Sequence, residues 1–221
     1  MINKKDELRD TANRLAVSGK GLLAVDESTP TIGKRLAGIN IENTEENRQA
    51  YRGMLFTAEG LGEFISGTIL FEETLYQNHL DGESMVSKIK KLGIIPGIKV
   101  DKGLSPLAGA HEVETWCKGL EGLAERTAEY YKQGARFAKW RAVLQITADG
   151  CPTDLAIREN AWGLARYAKI CQESGLVPII EPEILMDGNH SAHECFNKTS
   201  EVIKKCYDEL IINKIELAGT I

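Results

Sequence analysis

The sequence predicts an α/β protein whose parallel strands curl into an incomplete (β/α)8 barrel, with five complete strand–helix units and the start of a sixth. Three observations predict it. Apolar, strand-like runs alternate with helix-period segments along the chain, and that alternation puts parallel strands inside a layer of helices. Three of the runs end in charges two residues apart: Lys99 and Asp101 in IIPGIKVDK, Lys139 and Arg141 in ARFAKWRAVL, and Glu181 and Glu183 in VPIIEPEIL. Side chains two apart share one face of a strand. An open parallel sheet covers both faces with helices, whereas a barrel points such pairs into the mouth at the carboxyl end of its strands. The third observation is length. A closed barrel takes roughly 250 residues or more, and this chain offers 221.

The elements follow in order. Lys4–Val17 reads as a short helix, ended at Gly19, and Leu22–Val25 as the first strand, running into Asp26. Thr29–Arg35 reads as a loop whose hydroxyls and two cations suit an anion, though a solvated loop has the same composition. Asn43-Thr44-Glu45-Glu46 carries polar caps and first-turn acids, the signature of a helix start; that helix is expected to run to about Leu61. Phe64–Leu70 is the second strand, and helix-like residues to Lys91 lead into the strand Ile94–Asp101. Glu114–Gln133 has apolar residues at helical spacing, with Gly134 as the stop. The strand with Lys139 and Arg141 comes next, then a helix over Asp154–Ser174, the Glu181/Glu183 strand, a helix over Ser191–Leu210, and one more strand beginning in Lys214–Ile221. No internal repeat or linker divides the chain, so a single domain over 1–221 is expected.

Composition narrows the class. With 43% hydrophobic and 27% charged residues, the chain is ordinary for a globular domain. A net charge of −5 argues against nucleic acid or an anionic membrane as the main partner. Five cysteines, an odd number without a C-x-x-C, read as reduced and mostly buried thiols. The start MINKKDELRD lacks both the apolar core of a signal peptide and the acid-poor composition of a transit peptide, and no apolar run reaches membrane-spanning length. Together these point to the cytoplasm.

The strand-end charges carry the chemistry. Lys99, Lys139 and Arg141 balance Asp101, Glu181 and Glu183, as ionised groups in a low-dielectric place require. Two carboxylates on one strand face repel, so one pKa should rise, which suits general acid work. Glu181 and Glu183 are therefore acid–base candidates; the plain alternative is a structural ion-pair network with Lys139 and Arg141. Lys139 would either stay cationic among the carboxylates or lose its proton and attack carbonyls as an amine. Arg141 and Lys99 suit phosphate or carboxylate groups, or simply a solvated surface. His79, His111, His190 and His193 have no ligand spacing and read as surface residues, and neither a metal nor a nucleotide motif is present. Trp116, Trp140 and Trp162 read as packing residues.

Longer strings are more specific. GLLAVDEST (Gly21–Thr29), GKRL (Gly33–Leu36), FISGTILFEETL (Phe64–Leu75), PGIKVDKG (Pro96–Gly103), FAKWRAVL (Phe137–Leu144) and PIIEPEIL (Pro178–Leu185) resemble class I fructose-bisphosphate aldolase. The resemblance implies a (β/α)8 TIM barrel and metal-independent, cofactor-free cleavage of fructose 1,6-bisphosphate to dihydroxyacetone phosphate and glyceraldehyde 3-phosphate, in glycolysis and gluconeogenesis, through a lysine Schiff base. It implies proton-transfer roles around the carbinolamine for Asp26, a general acid/base at Glu181, stabilisation of the Schiff-base region by Glu183, and a charged proton partner at Lys139. Lys99 and Arg141 would touch the sugar phosphate, with Ser28, Lys34 and Arg35 in its phosphate rim. A homotetramer is implied for the complete family protein. The Schiff-base lysine is expected on the strand that Ile215–Ile221 leads into, just after Ile221; Lys214 is a poor substitute. The competing expectation is a truncated, non-catalytic relative acting as a binding or assembly module. A third reading is another phosphate-binding barrel enzyme with Lys139 as its amine.

Overall fold

The computed structural model describes residues 3–221. Met1 and Ile2, the first two residues of the stretch read for targeting, lie outside it. In chain order the elements are α1 (Lys4–Leu15), β1 (Gly21–Val25), α2 (Thr29–Ala37), α3 (Glu45–Phe56), α4 (Leu61–Phe64), β2 (Ile65–Leu70), α5 (Glu72–Tyr76), α6 (Met85–Lys91), β3 (Ile95–Lys99), β4 (Leu104–Pro106), β5 (Thr115–Cys117), α7 (Leu123–Gln133), β6 (Phe137–Leu144), α8 (Asp154–Glu173), β7 (Val177–Ile184) and α9 (Ala192–Ile212), followed by a 3-10 turn at Leu217–Gly219. The strands β1-β2-β3-β6-β7 form one all-parallel sheet in that order. It is the expected incomplete barrel, open at β1 and β7.

Two apolar layers shape the sheet. Its outer face packs Leu70, Ile98, Ala138, Trp140, Ala142 and Leu144 against helix residues such as Ile157, Leu164 and Cys171. Trp140 stacks on Tyr167 with centroids 5.3 Å apart, and the Tyr167 hydroxyl donates to the Ala138 carbonyl at 2.6 Å. The inner face buries Ile69, Ile95, Phe137 and Val177 under Leu8, Ala12 and Leu15 of α1, which plugs the floor of the barrel. Gly97 is required here, because a Cβ would lie 2.3 Å from the Phe137 ring. The β6 strand alternates as expected: Ala138, Trp140, Ala142 and Leu144 are buried outward, while Lys139 and Arg141 are half-buried on the interior face.

Helix starts follow the capping residues. Thr44 accepts from the Asn47 amide and Thr153 from the Ala156 amide, and Ser191 with Glu194 completes a capping box. Elsewhere the structure corrects the expectations. Thr29–Arg35 belongs to helix α2 rather than a loop, because Pro30 falls in the first turn, where its missing N–H costs nothing. The helix expected to reach Leu61 ends at Phe56; Gly60, at φ 72°, starts a separate turn. The helix expected from Glu114 begins only at Leu123. Before it, Thr115–Cys117 pairs antiparallel with Leu104–Pro106, and Gly119 and Gly122 take φ of 124° and 62°. Instead of a strand, Lys214–Ile221 contains the 3-10 turn at Leu217–Gly219, and Ile221 alone of these residues bonds to the sheet. Its amide donates to the Pro178 carbonyl at 3.0 Å, and its carbonyl accepts from Ile180 at 2.8 Å. His79, His111 and His190 are half-buried rather than on the surface. Trp162, read as a packing residue, is 41% exposed.

Candidate active site

β6 and β7 carry Lys139, Arg141, Glu181 and Glu183 past the apolar part of the barrel, whereas β3 ends at Lys99, so Asp101, expected on that strand, lies two residues beyond it. β6 and β7 align so that Arg141 lies opposite Glu181 and Val143 opposite Glu183, and β3 and β6 align Lys99 with Lys139. Asp26, one residue past β1, is buried. The curl of the sheet brings it across to β6: the Lys139 Nζ lies 3.3 Å from an Asp26 oxygen and 3.7 Å from a Glu181 oxygen. The lysine therefore bridges the first and last strands of the sheet. Arg141 pairs with Glu183. Lys99 pairs with Asp101, whose same oxygen accepts the Gly103 amide at 3.1 Å.

The two glutamates diverge as expected, but for a different reason. Glu181 is raised chiefly by burial, which disfavours its ionised form; Lys139 opposes this, and the charge of Glu183 adds less. Glu183 is lowered chiefly by the hydrogen bond from Arg141. Mutual repulsion is thus the smaller cause, because Arg141 neutralises the partner.

The expected phosphate rim is less engaged. The Ser28 Oγ meets the Thr31 Oγ1 at 3.0 Å and makes no capping bond to α2. Lys34 is exposed, and Arg35 pairs with Glu27. No hydrogen bond or ion pair among the described residues joins these three to the Lys139 cluster. Among the described residues no group of His, Cys, Asp and Glu is arranged to hold a metal ion. Cys117 is pushed up to about 12, mainly by burial, and is an inert thiol at neutral pH.

Sequence reasoning missed the charges behind the mouth. Arg52, 0% exposed, donates to Glu73 at 2.9 Å and to the Glu27 carbonyl at 2.8 Å. Arg48 donates to both oxygens of Glu73. The available signal was the four-residue spacing of the two arginines on one helix face, next to the Glu72-Glu73 pair that follows β2.

A parallel half-barrel with a half-buried lysine between two carboxylates at its carboxyl-end mouth defines a barrel protein of acid–base type. The family model for class-I fructose-bisphosphate aldolase matches residues 7–221, and the chain belongs to that family. Fructose-bisphosphate aldolase 3, a chloroplastic protein of Arabidopsis thaliana, is 59% identical over 205 residues, covering 93% of this chain and 51% of the relative. The chloroplastic aldolase of Oryza sativa is 56% identical, over 97% of this chain and 54% of its own length. Fructose-bisphosphate aldolase from Plasmodium falciparum, crystallised with TRAP and a small-molecule inhibitor, superposes with a TM-score of 0.96 at 55% identity, over 98% of this chain and 62% of that one. The chain spans about half the length of the curated relatives it matches.

These relatives overturn the cytoplasmic placement. Those at 59% and 56% identity are chloroplastic, although a cytosolic Arabidopsis aldolase also matches at 56%. Of the residues behind that expectation, those from Lys4 to Asp10 lie in α1, whose charges are the solvent side of a helix that buries Leu8, Ala12 and Leu15. They serve packing and say nothing of compartment.

Proposed function

We propose that the chain carries the acid–base part of a class I aldolase site for the cleavage of fructose 1,6-bisphosphate to dihydroxyacetone phosphate and glyceraldehyde 3-phosphate. One observation carries the reading: Lys139 sits between Asp26 and Glu181, while burial favours the protonated form of Glu181. Breaking a carbon–carbon bond beside a carbonyl needs a sink for the electron pair and a group that takes and returns a proton. A protonated imine is such a sink. Glu181 is the proton-transfer group, Lys139 holds positive charge against it, and Asp26 orients both. Arg141 and Glu183 keep the far side of the mouth neutral, and Lys99, Arg141, Ser28, Lys34 and Arg35 receive the sugar phosphate.

Both mouth lysines are engaged with carboxylates, which disfavours either as the amine nucleophile. The ladder at Ile221 points elsewhere. Its bonds to Pro178 and Ile180 put Ile221 beside Ile179 in parallel register. A strand propagating that register would set the side chain two positions after Ile221 on the interior face beside Glu181. That is where the resemblance expects the Schiff-base lysine. The homotetramer of the complete protein belongs to the same proposal, and the chloroplastic relatives make a plastid its favoured compartment.

The test is borohydride trapping with dihydroxyacetone phosphate, read by intact mass and peptide mapping. The chain 1–221 should give no adduct, and the same chain extended through the next strand should give one on that strand. An adduct on Lys139, abolished by Lys139→Met, would replace this reading with one in which Lys139 is the nucleophile.

A further inference from the structure

The turn between β1 and α2 carries Asp26 into the mouth and leads through Ser28 into α2, which bears Lys34 and Arg35. It is held from outside by a charged clamp. Glu73, just after β2, is the hub, and Arg48 and Arg52 reach it from one face of α3. Arg52 then donates to the carbonyl of Glu27 at 2.8 Å. Arg48 donates to the Asn43 side chain at 3.1 Å, and Asn43 in turn donates to the carbonyl of Thr29 at 3.1 Å. The two arms thus grip the backbone on either side of Ser28. The fit is close, since a Cβ on Gly33 would meet the Asn43 amide at 2.4 Å. The Arg52 guanidinium also lies 5.4 Å from the centre of the Phe71 ring. Burying two arginines is costly unless their charge is compensated, and a core helix could have been built there without them. Arg52 reaches the Glu27 carbonyl directly and Arg48 reaches that of Thr29 through Asn43, and apolar side chains could grip neither.

We infer that Arg48, Arg52 and Glu73 are positioning residues that fix the Asp26 carboxylate against Lys139 and fix the first turn of α2 relative to it. The inference rests on the acid–base reading of the mouth. It links the acid–base cluster to the rim of the sugar-phosphate site through one rigid turn, so that displacing the turn disturbs both together.

The experiment reads the geometry without catalysis, so its failure and the failure of the aldolase reading are distinct. Glu181 faces Lys139, Asp26, Arg141 and Glu183, and its titration is followed by carbon-13 NMR of side-chain carboxyls, assigned with Glu181→Gln. In Arg52→Met the turn is released. Asp26 no longer adds its charge and Lys139 is freed towards Glu181, so both effects move the Glu181 midpoint down. Asn43→Ala cuts one arm at an exposed residue; it keeps the fold and gives the same movement, smaller. Val202→Ala, in the core under α9, lowers the melting temperature and leaves the midpoint in place. An unmoved midpoint in folded Arg52→Met, or in folded Asn43→Ala should Arg52→Met fail to fold, overturns the inference. So does an equal movement in Val202→Ala. A downward shift confined to the clamp variants supports it, whether or not the chain forms an imine.

Discussion

Two charge clusters lie back to back across the end of β1, and they are built to opposite specifications. Behind the strand, Glu73 meets Arg48 and Arg52 through several hydrogen bonds, and its carboxyl is lowered chiefly by the bond from Arg48. In front, Glu181 has one cation at 3.7 Å, beyond hydrogen-bond length, and its carboxyl is raised. The first cluster locks a charge in place. The second leaves a carboxyl whose ionised form burial disfavours. A fully paired carboxylate makes a good strut and a poor acid, and the proposed clamp would use one kind to hold the other.

The largest effect is expected from the strut. Glu73→Gln leaves two buried guanidinium groups facing a neutral amide, and breaking a buried ion pair from one side costs about 3 kcal/mol. Urea denaturation should show a lower midpoint with an unchanged slope. The cost should also depend on pH. A carboxylate lowered on folding stabilises above its unfolded value of 4.5 and loses that contribution as pH falls through the folded value. The gap between wild type and Glu73→Gln should therefore close below pH 4.5. A constant gap would mean that the carboxylate's charge is not what the arginines need.

Lys139→Met tests the other side. It removes the cation between Asp26 and Glu181, so the Glu181 midpoint should rise further above 4.5. The loss of stability should be smaller than for Glu73→Gln, because Glu181 can take a proton where Glu73 has two arginines to satisfy. A fall in the midpoint would show that Lys139 does not set the proton affinity of this mouth.

The difference between the clusters also explains what the sequence made legible. Lys99 and Asp101, Lys139 and Arg141, and Glu181 and Glu183 stand out because a strand has period two, so charges at that spacing on apolar runs declare a shared face. The clamp has no such period. Its members come from α3, the start of α5 and the backbone carbonyls on either side of Ser28, and only tertiary contact brings them together. The pairing of Lys139 with Asp26 likewise depends on how far the sheet curls. Helix α2 was obscured by Pro30 and Gly33, which read as loop residues until the first-turn position of one and the Asn43 contact of the other are seen. The β4–β5 hairpin joins strands of three residues across eight others, too short for any local periodicity to announce. Ionised pairs on strands were readable, and charges assembled by tertiary contact were not.

Smaller effects sharpen the contrast between the two glutamates of β7. A carboxyl raised on folding favours the folded state while protonated and loses that advantage as pH climbs from 4.5 through its folded value. Above that folded value ionised Glu181 is thus a net burden, and Glu181→Gln should stabilise the chain slightly, with the gain shrinking as pH falls towards 4.5. Glu183 should behave oppositely. Its bond from Arg141 lowers it, but both side chains are more than a third exposed, and solvent screens such a pair to about 0.5 kcal/mol. Glu183→Gln should therefore cost that small amount at neutral pH and nothing in acid, with added salt shrinking the cost further. Thermal melts of both variants at pH 4 and pH 7 give the signs directly. If the two glutamines shift stability in the same direction at pH 7, the strand does not hold one working acid and one neutralised partner, and the division of labour at the mouth must be drawn again.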